Sequence, residues 1–271
     1  MSPFLHRFYR AVRRVFPDCI TQTQAVAFNI FVASFPMLLM VLGTVASSAA
    51  FQQALMGMVV RLGPLLPPGS IRIFSGLLSR HSTHPWQWVL VGSGGTLIAG
   101  TQMMKLLMEG FSMVHRDTNR QGSLGRHIRA LLLLVSTIVP VIFIVNLVVF
   151  GKQLRNSMLH TSSMPVFIRL VWVVAYVVAC LVIAMIVLAV IYRVGRPGPQ
   201  HWSVVIPGAA VATMLWWVIS IALGFYLRHV PYSIVYGGLA VTIGLLIWMQ
   251  ITATILLIGA AYNAELQNSP R

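Results

Sequence analysis

Residues 170–192 read LVWVVAYVVACLVIAMIVLAVIY, an uncharged run closed at its two ends by Arg169 and Arg193. An α-helix rises ~1.5 Å per residue, so about 20 residues cross the ~30 Å hydrocarbon core of a bilayer. The run meets that length without a break. Working outward, similar stretches occur at about 25–50, 86–108, 130–150, 203–227 and 236–260, which with the first make six. Between them lie turn and charge signals: Pro64, Pro67, Pro68 and Gly69; Asp117 to Gly125; Gly195 to Pro199. None of the stretches alternates with period two, which argues against a membrane β-barrel. The expected fold is an all-α integral membrane protein of six transmembrane helices with interfacial amphipathic helices. Residues 1–20 form a juxtamembrane segment, 21–266 the membrane domain and 267–271 a short tail.

Composition agrees with that class. The chain of 271 residues is 58% hydrophobic and only 8% charged, whereas about a quarter of an ordinary soluble domain is charged. A net charge of +15 would suggest a nucleic-acid partner in a soluble chain. Here the cations are better read by position. With a cytoplasmic N-terminus, that side collects Arg7, Arg10, Arg13, Arg14, Arg116, Arg120, Arg126, Arg129, Arg193, Arg196 and Arg271. The opposite side holds Arg61, Arg72, Arg80, Lys152, Arg155, Arg169 and Arg228. The bias favours both termini inside, and no nucleic-acid partner is expected. Cys19 and Cys180 are too far apart in context to suggest a disulfide or zinc framework. The first apolar run, ending in Ala46-Ser47-Ser48-Ala49-Ala50, is too long for a cleaved signal peptide.

Two segments outside the spans are amphipathic. Phe4, Phe8, Val12, Val15 and Phe16 share one side of a helical wheel, with Arg7, Arg10 and Arg14 away from them. Such a helix suits a cytoplasmic lipid surface, where each basic residue contributes about 1 kcal/mol against anionic headgroups. Arg126 and Arg129 in the cytoplasmic loop between the second and third spans are expected to contact anionic lipid in the same way. Ile71, Phe74, Leu77 and Leu78 form a second stripe on the opposite side of the membrane.

Polar groups at membrane depth are costly and therefore point to function. Candidates for a polar cavity or gate are Asn29, Lys105, Glu109, Asn146, Gln250, Asn263 and Glu265. Lys105 and Glu109 are spaced for a local pair on one helix face. Lys105, Glu109, Asn263 and Glu265 all approach the same membrane surface. The plainer account is a snorkelling lysine beside interfacial carboxylates. Pro36 interrupts the first span and is a candidate kink. Gly92, Thr96 and Gly100 recur every four residues as a close-packing face, and Gly237 and Gly238 suit a tight entry into the last span.

Hydrolytic chemistry is poorly supported. A metal nuclease needs clustered carboxylates or histidines, and the chain offers only Asp18, Glu109, Asp117 and Glu265, widely separated. No Gly-x-Ser-x-Gly elbow or His-Glu-x-x-His helix is present. Neither an enzymatic role, a metal nor another cofactor is expected.

The last third of the chain is the most distinctive. Pro207-Gly208-Ala209-Ala210, Trp216-Trp217, Tyr232 to Ala240 containing Tyr236-Gly237-Gly238-Leu239, Leu245-Leu246-Ile247-Trp248, and Gly259 to Glu265 containing Asn263-Ala264-Glu265 follow one another in order. With Ala25-Val26-Ala27-Phe28 and Ser34-Phe35-Pro36, they resemble the YihY/virulence factor BrkB family over about residues 20–266. Phe28 stands where that family's pattern has tyrosine. The resemblance implies a bacterial inner-membrane protein with six spans and an activity that is not settled. The family has also carried a ribonuclease BN label, which the scarcity of acid speaks against. The expected function is transport or handling of an anionic lipid, amphiphile or solute, with membrane lipids as partners. A non-transporting scaffold is the alternative and a membrane ribonuclease the least favoured. Association into a homo-oligomer is compatible with six helices of this length.

Overall fold

The computed structural model describes residues 3–16, 19–47, 85–116, 122, 124–138, 140, 166–196, 198, 200–229 and 239–268. All regular structure among them is α-helical. The elements are α1 (Pro3–Val15), α2 (Ile20–Ala46), α3 (Pro85–His115), α4 (124–138), α5 (Val166–Gly195), α6 (Trp202–His229) and α7 (Leu239–Asn268). Proline opens α1 and α3, where its missing N–H removes no intrahelical bond. Arg116 ends α3 in the left-handed region at φ 56°, its amide donating to the Met113 carbonyl at 3.1 Å.

Among the described residues, four helices are long and apolar enough to cross a membrane: Ile20–Thr44, Val177–Gly195, Trp202–Tyr226 and Thr242–Gln267. The expected spans at 86–108 and 130–150 are not among them. α3, at 31 residues, has ample length, but Gly92-Ser93-Gly94-Gly95, Gln102 and Lys105 dilute its apolar character. The later part of 130–150 lies outside the described residues. The helices also extend beyond the apolar runs. α3 continues past Lys105 and Glu109 to His115, and α7 continues past Asn263 and Glu265 to Asn268. Polar ends do not stop a helix that packs on neighbours, so these residues stand on helical turns and not in loops.

The chain divides into two compact units. The first comprises Met1–Phe31 and Thr101–Arg271. α7 is its central helix: every residue from 257 to 264 is buried, the pattern of a helix covered on all sides. α6 packs on α7, α5 on α6, and α1 on α7. The buried set, including Val15, Leu107, Phe111, Leu133, Tyr192, Ala209 and Leu257, gathers where α2 and α6 begin and α3, α5 and α7 end. A short link between α5 and α6, with Gly198 at φ 102°, makes them antiparallel neighbours. Away from this core the helices turn apolar stripes outward. On α5 these are Val171, Val174, Val178, Val182 and Ile186, and on α6 Met214, Trp217, Ile221 and Phe225. Stripes of that length facing outward match a lipid solvent and not water.

The second unit is Val32–Gly100. Within it, α2 and α3 meet at Pro36 and Met40. A β-carbon placed on Gly92 would collide with the Met40 backbone and the Pro36 carbonyl, and one on Gly95 would lie 2.7 Å from the Pro36 ring. Thr96 folds its hydroxyl back onto the Gly92 carbonyl at 2.7 Å, and Gly100 is buried.

Candidate functional site

The polar residues of the first unit concentrate at the end where α7 finishes. Asn263 is 2% exposed and faces the start of α6. Its side-chain oxygen accepts from the Gly208 amide at 2.7 Å, and its amide nitrogen donates to the Val205 carbonyl at 3.2 Å. Pro207 between them supplies no N–H. The side chain thus holds the proline-weakened first turns of α6 against α7. Close approach is possible because Gly208 and Gly259 face each other, each with no room for a β-carbon. The Tyr192 hydroxyl reaches across from α5 to donate to the Leu256 carbonyl at 2.9 Å.

Glu265 lies two residues further along α7, with its side chain 13% exposed. It faces two guanidinium groups of α1: Arg14 Nη1 at 3.2 Å and Arg10 Nε at 3.5 Å. The α1 face therefore differs in rotation from the expected one. Ala11 and Val15 are buried against the unit, with Phe8 and Val12 partly buried beside them. Leu5, Tyr9 and Phe16 turn outward. This rotation leaves Arg14 partly buried and Arg10 at the exposed rim, from where both reach Glu265.

Glu109 is engaged by a different helix. Arg126 Nη1 of α4 donates to its carboxylate at 2.7 Å, with both side chains about two-fifths exposed (41% and 42%). Lys105 is not paired with Glu109, despite the four-residue spacing. Its Nζ instead lies 3.3 Å from His127 Nε2. Both contacts join α3 to α4. Arg129, one turn further along α4, has a buried Nη1 with no hydrogen-bond partner.

A third group sits between the ends of α5, α6 and α7. Arg196 donates to Gln267 at 2.8 Å, and Gln267 to Gln200 at 3.4 Å. The Arg193 guanidinium stacks 4.3 Å above the Trp202 ring, a cation–π contact. A cavity of about 10 Å³ lies among His115, Tyr192, Arg196, Asn263 and Gln267. That is room for one water molecule.

The remaining candidates are dispersed. Asn29 donates to the Ala25 carbonyl of its own helix at 2.9 Å, and Gln250 donates to the Thr23 hydroxyl at 2.8 Å. Arg7 is half-buried on α1. Asn146, Gly237, Gly238 and the stripe at Ile71 to Leu78 lie outside the described residues. Sequence reasoning missed Thr23, Tyr192 and His127 as partners. A small-residue pattern, Gly208-x-x-x-Ala212 facing Gly259, was available as a signal for the α6–α7 crossing. No three His, Cys, Asp or Glu residues among those described come together as a metal site.

The family described as virulence factor BrkB matches residues 17–271. The chain belongs to that family. The BrkB match takes in α2 to α7 and leaves out α1. A relative from Bacillus subtilis (strain 168), named as the ribonuclease-like protein YfkH, is 25% identical over 152 residues. That alignment covers 55% of this chain and 54% of the relative, so the match spans about half the length of each. No solved structure matches this BrkB-family chain.

Proposed function

We propose that this BrkB-family membrane protein is a multi-pass protein of the bacterial inner membrane that handles an anionic amphiphile, with both termini in the cytoplasm and six spans. The observation that carries the reading is the charge at one end of an apolar bundle. Arg10, Arg14, Lys105, Arg126, Arg129, Arg193 and Arg196 meet only Glu109 and Glu265 among the described residues of the first unit. Each carboxylate already has an arginine. Positive charge thus exceeds negative charge among these residues, and the anionic headgroups of the inner leaflet complement such an excess. Excess cation on the N-terminal side also supports the inward orientation. The role is a non-enzymatic one in this reading.

The test is lipid analysis of the intact protein extracted in native nanodiscs. Enrichment of anionic over zwitterionic lipid, weakened by salt, is expected. Lipid composition equal to the bulk membrane would overturn the reading. A reconstituted scrambling assay then separates movement of lipid from retention.

A further inference from the structure

We propose that the outer flank of α1, formed by Leu5, Tyr9 and Phe16 with Arg13 beside them, docks on the anionic lipid surface of the inner leaflet. The inference deepens the reading above and rests on it, naming the surface and its partner. Successive residues of an α-helix are about 100° apart around its axis, which places the apolar residues of α1 on one broad arc. The structure divides that arc in two. Ala11 and Val15 are buried, with Phe8 and Val12 partly buried beside them, where α1 packs on α7. Leu5, Tyr9 and Phe16 stand 52%, 60% and 49% exposed on the adjoining flank. The Phe16 amide donates to the Val12 carbonyl at 3.0 Å, so Phe16 continues the helical turn and lines up with Leu5 and Tyr9. The side that the sequence pattern offers to lipid through Phe8 and Val15 is thus covered by protein, and the exposed flank is its neighbour.

Three observations commit this flank to a bilayer. The first is depth. Residues 16–19 join α1 to α2, whose candidate span begins at Ile20, itself 40% exposed. Through Arg10 and Arg14, α1 also reaches Glu265, close to the end of the candidate span Thr242–Gln267. α1 is therefore held level with one end of two spans, where hydrocarbon gives way to headgroups. The second is charge. Arg13, His6 and Arg10 are exposed and follow the apolar flank around the helix, and α1 contains no acidic residue. An apolar flank edged with cations is the pattern of a helix lying in an anionic interface. The third is Tyr9, the most exposed of the three, whose apolar ring and polar hydroxyl suit headgroup depth.

The experiment uses the full-length protein in nanodiscs of mixed phosphatidylcholine and phosphatidylglycerol. The photoreactive residue p-benzoylphenylalanine replaces Phe8, Tyr9 or Phe16 one at a time, and mass spectrometry identifies each adduct. Tyr9 and Phe16 are exposed, so neither aromatic exchange disturbs the core. Probes at these two positions are expected to capture lipid, with phosphatidylglycerol in excess of its share of the disc, and the Phe8 probe to capture the chain itself. R13Q combined with the Tyr9 probe lowers that excess by up to about fivefold, the factor that one basic residue contributes at an anionic surface. Lipid capture at Phe8 but not at Tyr9 or Phe16 would overturn the assignment of the flank. Capture of a second chain at Tyr9 would give the flank to another copy, and capture of both lipids in proportion to the disc would remove the anionic partner; either overturns the proposal. Anionic lipid enriched on the wild-type protein in native nanodiscs keeps the broader reading intact when the flank fails, whereas bulk composition there would overturn that reading and this surface with it.

Discussion

The Asn263 side chain bridges the two sides of a proline: it accepts from the Gly208 amide at 2.7 Å and donates to the Val205 carbonyl at 3.2 Å. Both atoms belong to the first turns of α6, and both are buried with Asn263 itself. Asn263→Leu removes both inter-helix hydrogen bonds at once, while Gly208 and Val205 keep their places in the α6 backbone. A loss of about 0.5–1.5 kcal/mol per bond is expected. Thermal unfolding in detergent, followed by tryptophan fluorescence, measures it. A melting temperature equal to wild type would show that water replaces the side chain without cost.

The two arginines on Glu265 are unequal. Arg14 has a side chain 19% exposed and Arg10 one 47% exposed. Solvent screening weakens exposed pairs to about 0–1 kcal/mol, so the Arg10 coupling falls in that range and the Arg14 coupling exceeds it. A double-mutant cycle with R10Q, R14Q and E265Q measures both. Hydrogen exchange of the Pro3–Val15 amides gives a second readout, because E265Q leaves α1 held by its apolar contacts, Phe8, Ala11, Val12 and Val15 among them, and raises its exchange. Equal coupling energies would contradict this ranking.

Within the second unit, Gly92 and Gly94 separate packing from helix propensity. A β-carbon at Gly92 meets the Met40 backbone, which cannot turn aside, whereas at Gly94 it meets nothing within 4 Å. Replacing an exposed helical glycine by alanine gains up to about 1 kcal/mol. G94A is therefore neutral or stabilising, and G92A destabilising, in the same unfolding assay. Matching shifts of the same sign would show that α2 and α3 do not meet at Gly92.

How far the sequence discloses this arrangement depends on the kind of interaction. Apolar runs such as 170–192 are visible because hydropathy is a local property, and four of the six expected spans coincide with described helices both long and apolar enough to cross a membrane. Asn263 stands out as a polar residue in an apolar run. Its partner does not, because a backbone amide at Gly208 carries no sequence signal of hydrogen bonding. Glu109 offers two cations at workable spacing, Lys105 on its own helix and Arg126 beyond a loop. The choice of Arg126 is set by how α4 returns against α3, a tertiary fact. The rotation of α1 is similar: its hydrophobic arc covers Phe8, Val12 and Phe16 alike, and which edge is buried is set by how the helix lies against α7, where Ala11 and Val15 are covered and Phe16 is not. Pro36 and Gly92 are each conspicuous alone, yet nothing in the sequence joins them.

Gln250 supplies the last prediction, since it is both a candidate cavity residue and a packing bond. Its amide donates to the Thr23 hydroxyl at 2.8 Å, and that hydroxyl donates in turn to the Ile20 carbonyl at 2.7 Å. Thr23 is 1% exposed, so the bond lies inside the unit and joins α2 to α7. If this is its whole role, Gln250→Leu costs about 0.6–1.7 kcal/mol, the range for polar contacts between membrane helices. Replacing both partners with apolar groups leaves fewer unmatched atoms than replacing one. The T23V/Q250L double variant should then lose less than the sum of the single losses, with anionic-lipid retention unchanged in all three. A Q250L variant of wild-type stability that nevertheless loses lipid retention would place Gln250 on a ligand path.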